Sequence, residues 1–194
     1  VRNSKILVAG GSGFIGSAIT KYLVKCGYKV TVYDNNSRGK ITRLKEVIHK
    51  INFKKGDIRD YKKLKSIPGN FDIIIHLAYV NGTKFFYKKP FEILDIAVNG
   101  LINILKFSRE KKVKDFFLAS SSEVYQNPFK IPTDEEEMLK IPNIHNPRYS
   151  YGGGKIISEL YGINFAKKFL RRFVIFRPHN VYGKDMGNEH VIPE

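Results

Sequence analysis

The sequence predicts an α/β fold of the doubly wound kind, in three layers, with a parallel sheet covered by helices on both faces. Three observations predict it. Short, almost unbroken apolar runs such as "KILVAG" and "FDIIIHLA" recur along the chain. The segments between them carry apolar residues at helical spacing, and strand and helix alternate nearly without interruption. Strands buried on both faces lose the in-and-out alternation of half-exposed ones, which explains the unbroken runs.

Each element follows in order. The first strand, Lys5 to Gly10, ends in glycine and leads into a helix from Gly16 to Cys26, with Ile15, Ile19 and Leu23 in helical register. "KVTVYD", Lys29 to Asp34, is the second strand. A polar turn, a helix near Ile41 to Lys50 and a strand around Asn52 to Lys55 come next. "FDIIIHLA" is the fourth strand and opens into a loop with Asn81 and Gly82. A long helix around Phe91 to Glu110 gathers Ile93, Ile96, Ala97, Leu101, Ile104 and Leu105 on one side. "KDFFLASSS" and "RFVIFRP" are strands five and six, with the helix "YGGGKIISELYGINFAKKF" between them. The acidic cluster Asp134 to Glu137 reads as a solvated helix start.

A chain of 194 residues with 42% hydrophobic residues can bury one good-sized core, so a single domain over residues 1–194 is expected. The apolar run Ile73 to Val80 is too short to span a bilayer and nothing resembles a signal peptide, which predicts a cytoplasmic protein without a membrane partner. Cys26, alone in the chain, cannot form an internal disulfide and has no companions at zinc spacing. No metal is expected, and Cys26 is expected to act as a small buried hydrophobe. The formal charge of +16 suits an anionic partner, but the basic pairs, from Lys54-Lys55 to Arg171-Arg172, are scattered and no nucleic-acid-binding motif accompanies them. Nucleic acid is therefore disfavoured.

"AGGSGFIGS" lies between the first strand and the first helix. Its glycines fit GxGxxG at Gly11, Gly13 and Gly16, and GxxGxxG at Gly10, Gly13 and Gly16. In that setting the missing side chains let backbone N–H groups approach a pyrophosphate at the positive end of a helix. A nucleoside triphosphate loop is excluded because Ser17 stands where its lysine belongs. Asp34, at the end of the second strand, lies where a carboxylate receives the ribose hydroxyls and repels a 2′-phosphate. NAD is expected rather than NADP, with Arg38 nearby as the residue against it.

With these pieces in order, the chain from Lys5 onward resembles the extended short-chain dehydrogenase/reductases, and within them the NAD-dependent nucleotide-sugar epimerase and dehydratase family. The matching stretches are "GGSGFIGS", "YDNNSRG", "GDIRD", "IIHLAY", "VNGLINIL", "LASSSEVYQ", "YSYGGGK" and "FRPHNVYG". The resemblance implies a Rossmann fold with cofactor contacts at Gly10, Gly13, Phe14, Ile15, Gly16, Asp34, Asn35, Asp57, Ile58, Leu77, Ala78, Tyr151 and Lys155. It implies substrate contacts at Asn81, Asn99, Ser122 and Asn180, and chemistry at Ser121, Tyr151 and Lys155, with Glu123 as an additional acid/base. It also implies a homodimer through the helices Phe91 to Glu110 and Lys155 to Phe169. Without it, Asp57 reads as a loop cap, His76 as a core histidine and Asn99 as a polar helix residue.

The three glycines of "YGGGK" each cost about 1 kcal/mol against alanine within a helix. They form either a phosphate loop or a place where something presses on a helix. Tyr149 and Ile156 do not fit the phosphate-loop pattern, and a spacing of four puts Tyr151 and Lys155 on one helix face. The glycines then leave room for neighbouring backbone or cofactor. The Lys155 ammonium and the nicotinamide are expected to lower the Tyr151 phenol towards the working pH, making it the base that opens oxidation of a sugar hydroxyl, at C4. Returning hydride to the other face makes an epimerase; loss of water or of a carboxyl group makes a 4,6-dehydratase or a decarboxylase, for which Ser122 and Glu123 speak. "RPHNVYG" favours the epimerase. A non-catalytic dinucleotide- or nucleic-acid-binding protein on the same fold is the alternative of another class. Gln126, Gly154 and Lys184 depart from the family's usual glycine, small hydroxyl residue and proline. The chain ends at "HVIPE", where the family continues into the segment that closes over the nucleotide-sugar, so a fragment lacking that segment is expected.

Overall fold

A computed structural model describes residues 3–186; the terminal "HVIPE" lies outside them. Six strands form one sheet in the order β3-β2-β1-β4-β5-β6, with every neighbouring pair parallel. They are β1 Lys5–Ala9, β2 Lys29–Asp34, β3 Ile51–Lys55, β4 Ile73–His76, β5 Asp115–Ala119 and β6 Arg172–Phe176. The chain crosses from one half of the sheet to the other after β3, so the loops beyond β1 and β4 diverge and leave a crevice at their carboxyl ends.

Alternation along β1 divides the core between the two faces. Leu7 and Ala9 join Ile74, Phe116 and Leu118 beneath Leu101, Ile104 and Leu105 of α5 (Leu101–Glu110). Ile6 and Val8 join Val30, Val32 and Leu44, against which Leu23 and Val24 of α1 (Phe14–Lys25) pack. α6 (Ser150–Phe169) contributes Phe165 to the first face, so helices cover both sides of the sheet.

Several expected elements take another form. In place of a helix over Ile41 to Lys50 there are two short 3-10 turns, Ile41–Leu44 and Ile48–Lys50. Lys40 donates its N–H to Ser12 O and Leu44 is fully buried, so tertiary anchors govern this span more than its own periodicity. The long helix is continuous in direction but composite, with α4 (Pro90–Asp95) running through a π-turn, Ile96–Gly100, into α5. Gly100 presses on the Ile58 side chain there, and Ile96, Ala97 and Gly100 are all buried. Two short helices, α2 (Tyr61–Lys65) and α3 (Thr83–Lys88), carry too few turns to leave a periodic signal. Asp134 to Glu137 start no helix: Asp134 accepts from its own downstream Glu136 N–H and pairs with Lys130, a local turn that competes with helix. Cys26 caps α1 half-buried rather than buried.

Replacing fully buried Ile104 by alanine should cost about 2–5 kcal/mol of stability, read as a lower urea midpoint with an unchanged slope.

Candidate active site

The glycine turn after β1 is packed backbone on backbone. Gly10 has φ +85°, and a Cβ there would come within 2.6 Å of Ala78 N. A Cβ on Gly16 would strike Gly10 O. Gly13, the residue preceding α1, has only Gly10 O near its missing side chain, at 3.2 Å, so its outer side stays open where the helix N-terminus presents unpaired N–H groups. Phe14 and Ile15 begin α1 and are half-buried.

Around this turn one cleft is lined by Gly10, Gly13, Asp34, Asn35, Asp57, Ile58, Leu77 and Ala78, together with Tyr33, Arg38, Tyr79 and Ile96. Asp34 accepts from Ser12 N at 2.9 Å and Asn36 N at 2.8 Å, so it fastens the turn first. A carboxylate has about four acceptor positions, so capacity for a diol remains. Asn35 donates to Asp57 at 2.9 Å. Arg59 adds a forked pair to the same carboxylate, and these bonds hold the Asp57 carboxyl well below its usual range, at about 2. Arg59 reaches on to Asp95, joining the cleft to α4.

Beyond the cleft, α6 carries Tyr151 and Lys155 on one face. Tyr151 is 6% exposed, stacked on Phe86 (4.9 Å between centroids) and edge-on to Tyr79 (5.2 Å). Lys155 is 4% exposed; its Nζ donates to Ala119 O at 2.7 Å and lies 3.8 Å from the Tyr79 ring centre. The protein's own groups, taken alone, shift the Tyr151 phenol the other way from the expected lowering. Burial pushes the Tyr151 phenol up to about 12, against the pull of a hydrogen bond with Ser121, and burial pushes the Lys155 ammonium down to about 7, against the charge of Glu159. The ammonium lies against a carbonyl and an aromatic ring, and desolvation is the largest influence on both groups. His76, fully enclosed below, is driven down to about 3 by burial and by Lys155.

Ser121 precedes a 3-10 turn, Ser122–Val124, and accepts from Glu123 N. Glu123 accepts two bonds from Arg148, both at 3.0 Å. Of the residues expected at substrate, Ser122 is half-buried and donates its N–H to Pro178 O. Asn81, Asn99 and Asn180 are exposed, and none of the four lines the cleft. Asn99 donates to Asp95 on its own helix.

The glycines of α6 answer to neighbours. A Cβ on Gly152 would meet Gln126 Nε2 and Glu123 O, one on Gly153 would meet Ile141, and one on Gly154 would meet Tyr79 Oη and Ala97. Sequence reasoning missed Tyr79, Arg148, Glu159 and Arg177. Glu159 follows Lys155 by four positions, which is a legible signal: it is 2% exposed and held by Arg177 and Ser120.

A sequence profile of the NAD dependent epimerase/dehydratase family matches residues 6–194. The chain belongs to that family. Among its relatives, the UDP-N-acetyl-alpha-D-glucosaminuronate decarboxylase of Bacillus cytotoxicus is 32% identical over 97% of this chain and 59% of its own length. A putative UDP-glucose 4-epimerase of Methanocaldococcus jannaschii is 33% identical over 92% of the chain and 56% of its own length. The crystal structure of a Thermotoga maritima UDP-glucose 4-epimerase with UDP-glucose superposes with a TM-score of 0.85 at 29% identity, covering 97% of this chain and 60% of that one. The chain thus spans under two thirds of these family members.

The depressed lysine has a measurable consequence. Between about pH 7 and the ordinary lysine value of 10.5, the unfolded chain binds the proton that folded Lys155 has released, so its contribution makes stability rise with pH. Lys155→Met should remove that rise and be more stable than the parent near pH 7, as urea titrations at pH 7 and 10 would read.

Proposed function

We propose that residues 1–194 form the NAD-binding domain of a nucleotide-sugar epimerase that transiently oxidises a sugar hydroxyl at C4. One observation carries this reading: Ser121, Tyr151 and Lys155 converge at the carboxyl ends of β4 and β5, next to the cleft lined by the glycine turn. The dinucleotide fits that cleft, because Gly13 is open on its outer side and Asp34 and Asp57 are fixed on its rim. Gly10, Gly13, Gly16, Asp34, Asn35, Asp57, Ile58, Leu77 and Ala78 would hold it. Bound there, NAD would accept a hydride from the sugar carbon and give it back.

The chain's own groups do the rest. Tyr151 takes the hydroxyl proton, which requires the phenol to come down from about 12; a positive charge near its oxygen and the Ser121 hydroxyl act in that direction. Lys155, one turn away, is the protein's own source of that charge. Glu123 is engaged by Arg148 through both oxygens, and a carboxylate so held has fewer free positions for service as a further acid/base, which favours the epimerase over the dehydratase and decarboxylase readings.

The substrate is a nucleotide-sugar, and the assembly is a homodimer. Phe91 (82% exposed) and Leu94 on α4, and Ile157, Leu160 and Tyr161 on α6, leave an apolar surface on two helices that touch each other. A cytoplasmic location accords with this chemistry, and among the described residues no helix is long and apolar enough to cross a membrane.

In the full-length protein, Tyr151→Phe should lower epimerase turnover about 10²–10⁴-fold while NAD binding by calorimetry stays intact. Unchanged turnover of every nucleotide-sugar that the parent converts would refute the assignment. Leu160→Glu should shift sedimentation from dimer to monomer.

A further inference from the structure

We propose that Tyr79 is a positioning residue for Lys155, holding the ammonium on the face of its ring, and that Gly154 is the notch that seats its hydroxyl. The inference rests on the reading of Lys155 as part of the catalytic pair and extends it to a residue outside the Ser-Tyr-Lys set.

A buried ammonium has three N–H bonds to satisfy. Ala119 O takes one at 2.7 Å. Glu159, the carboxylate one turn along α6, is committed to Arg177 through two oxygens and to the Ser120 hydroxyl. What faces Nζ instead is the Tyr79 ring, with its centre 3.8 Å away, while the Tyr151 ring is 5.7 Å away. At that distance and degree of burial, the negative face of an aromatic ring attracts a cation appreciably. The titratable groups around Lys155 are thus Tyr151 and Glu159 on its own helix, His76 at the end of β4, Tyr79 in the following loop, and Arg177 after β6.

The ring is fixed from two sides. Tyr151 meets it edge-on at 89°. Its Oη is buried without a hydrogen-bond partner, in the space that a side chain at position 154 would fill. A phenol oxygen without a hydrogen-bond partner adds no bond of its own, so the ring is the part that acts. A Cβ at position 154 would clash with Tyr79 Oη and meet Ala97 Cβ at 2.8 Å, so glycine there leaves the room that the Tyr79 hydroxyl occupies.

The test needs no cofactor. With lysine labelled by ¹³C, the Lys155 signal, assigned by its loss in Lys155→Arg, is titrated by NMR in Tyr79→Phe and in chains carrying phenylalanines with one, three and five ring fluorines at position 79. These analogues keep the shape of the ring and drain its face of electron density. Tyr79→Phe should titrate as the parent does, and the Lys155 midpoint should then fall stepwise, by about one pH unit across the series. A midpoint that stays put through all the fluorinated rings would overturn the inference. Calorimetry with NAD keeps the two readings apart: an unmoved midpoint with NAD still bound sinks the role of Tyr79 alone, and a falling midpoint without NAD binding sinks the proposed function alone.

Discussion

A lysine ammonium shut away from water at the carboxyl ends of β4 and β5 is the constraint around which the upper half of the molecule is arranged. Desolvation alone would strip its proton, so each neighbouring element supplies a compensating group. β5 turns the Ala119 carbonyl towards it, α6 adds Glu159 one turn on, and the loop after β4 lays Tyr79 against it. Glu159 is in turn a buried carboxylate, and it draws in Arg177, which also bonds the Tyr125 hydroxyl. A buried ion pair of this kind is weak support for stability, but it leaves few alternative arrangements for β5, β6 and α6.

The same crowding accounts for glycine in a helix that propensity would deny it. The loss of helical preference over Gly152, Gly153 and Gly154 is set against close contact with Glu123, Ile141 and Tyr79. α6 can then lie near enough to the end of β5 for Lys155 to reach Ala119. Tertiary packing overrides intrinsic propensity here, because a Cβ at 154 would clash outright and one at 152 or 153 would crowd its neighbours.

The parts of the fold set by burial were legible in the sequence. The central strands, α1, α6 and the glycine turn follow from apolar runs and glycine spacing, because both faces of the sheet are covered there and the turn has no room for side chains; β3, INFKK at the edge, has no buried residue. Asp34, Asn35, Asp57, Ile58, Leu77 and Ala78, which the family resemblance names, line one cleft. What was hidden depends on distant contacts. The span from Ile41 to Lys50 has a helical pattern but is tethered at Ser12; the π-turn answers to Ile58, far away in sequence. The raising of the Tyr151 phenol and the lowering of the Lys155 ammonium by burial had no sequence signal, because spacing conveys proximity and says nothing of solvent. Tyr79 and Arg148 gave no signal, since their partners come together only when α3, α6 and the strand ends meet.

All five strand pairings are parallel, and each therefore joins segments separated by a crossover. β1 sits at the middle of the sheet, yet its second neighbour, β4, is made only after β2 and β3. During synthesis the central strand must wait with one edge bare, and the ribosome-bound chain passes through a stage at which its most apolar segment is open to other molecules. The burden on chaperones at that stage is set by strand order, whatever chemistry the finished crevice performs.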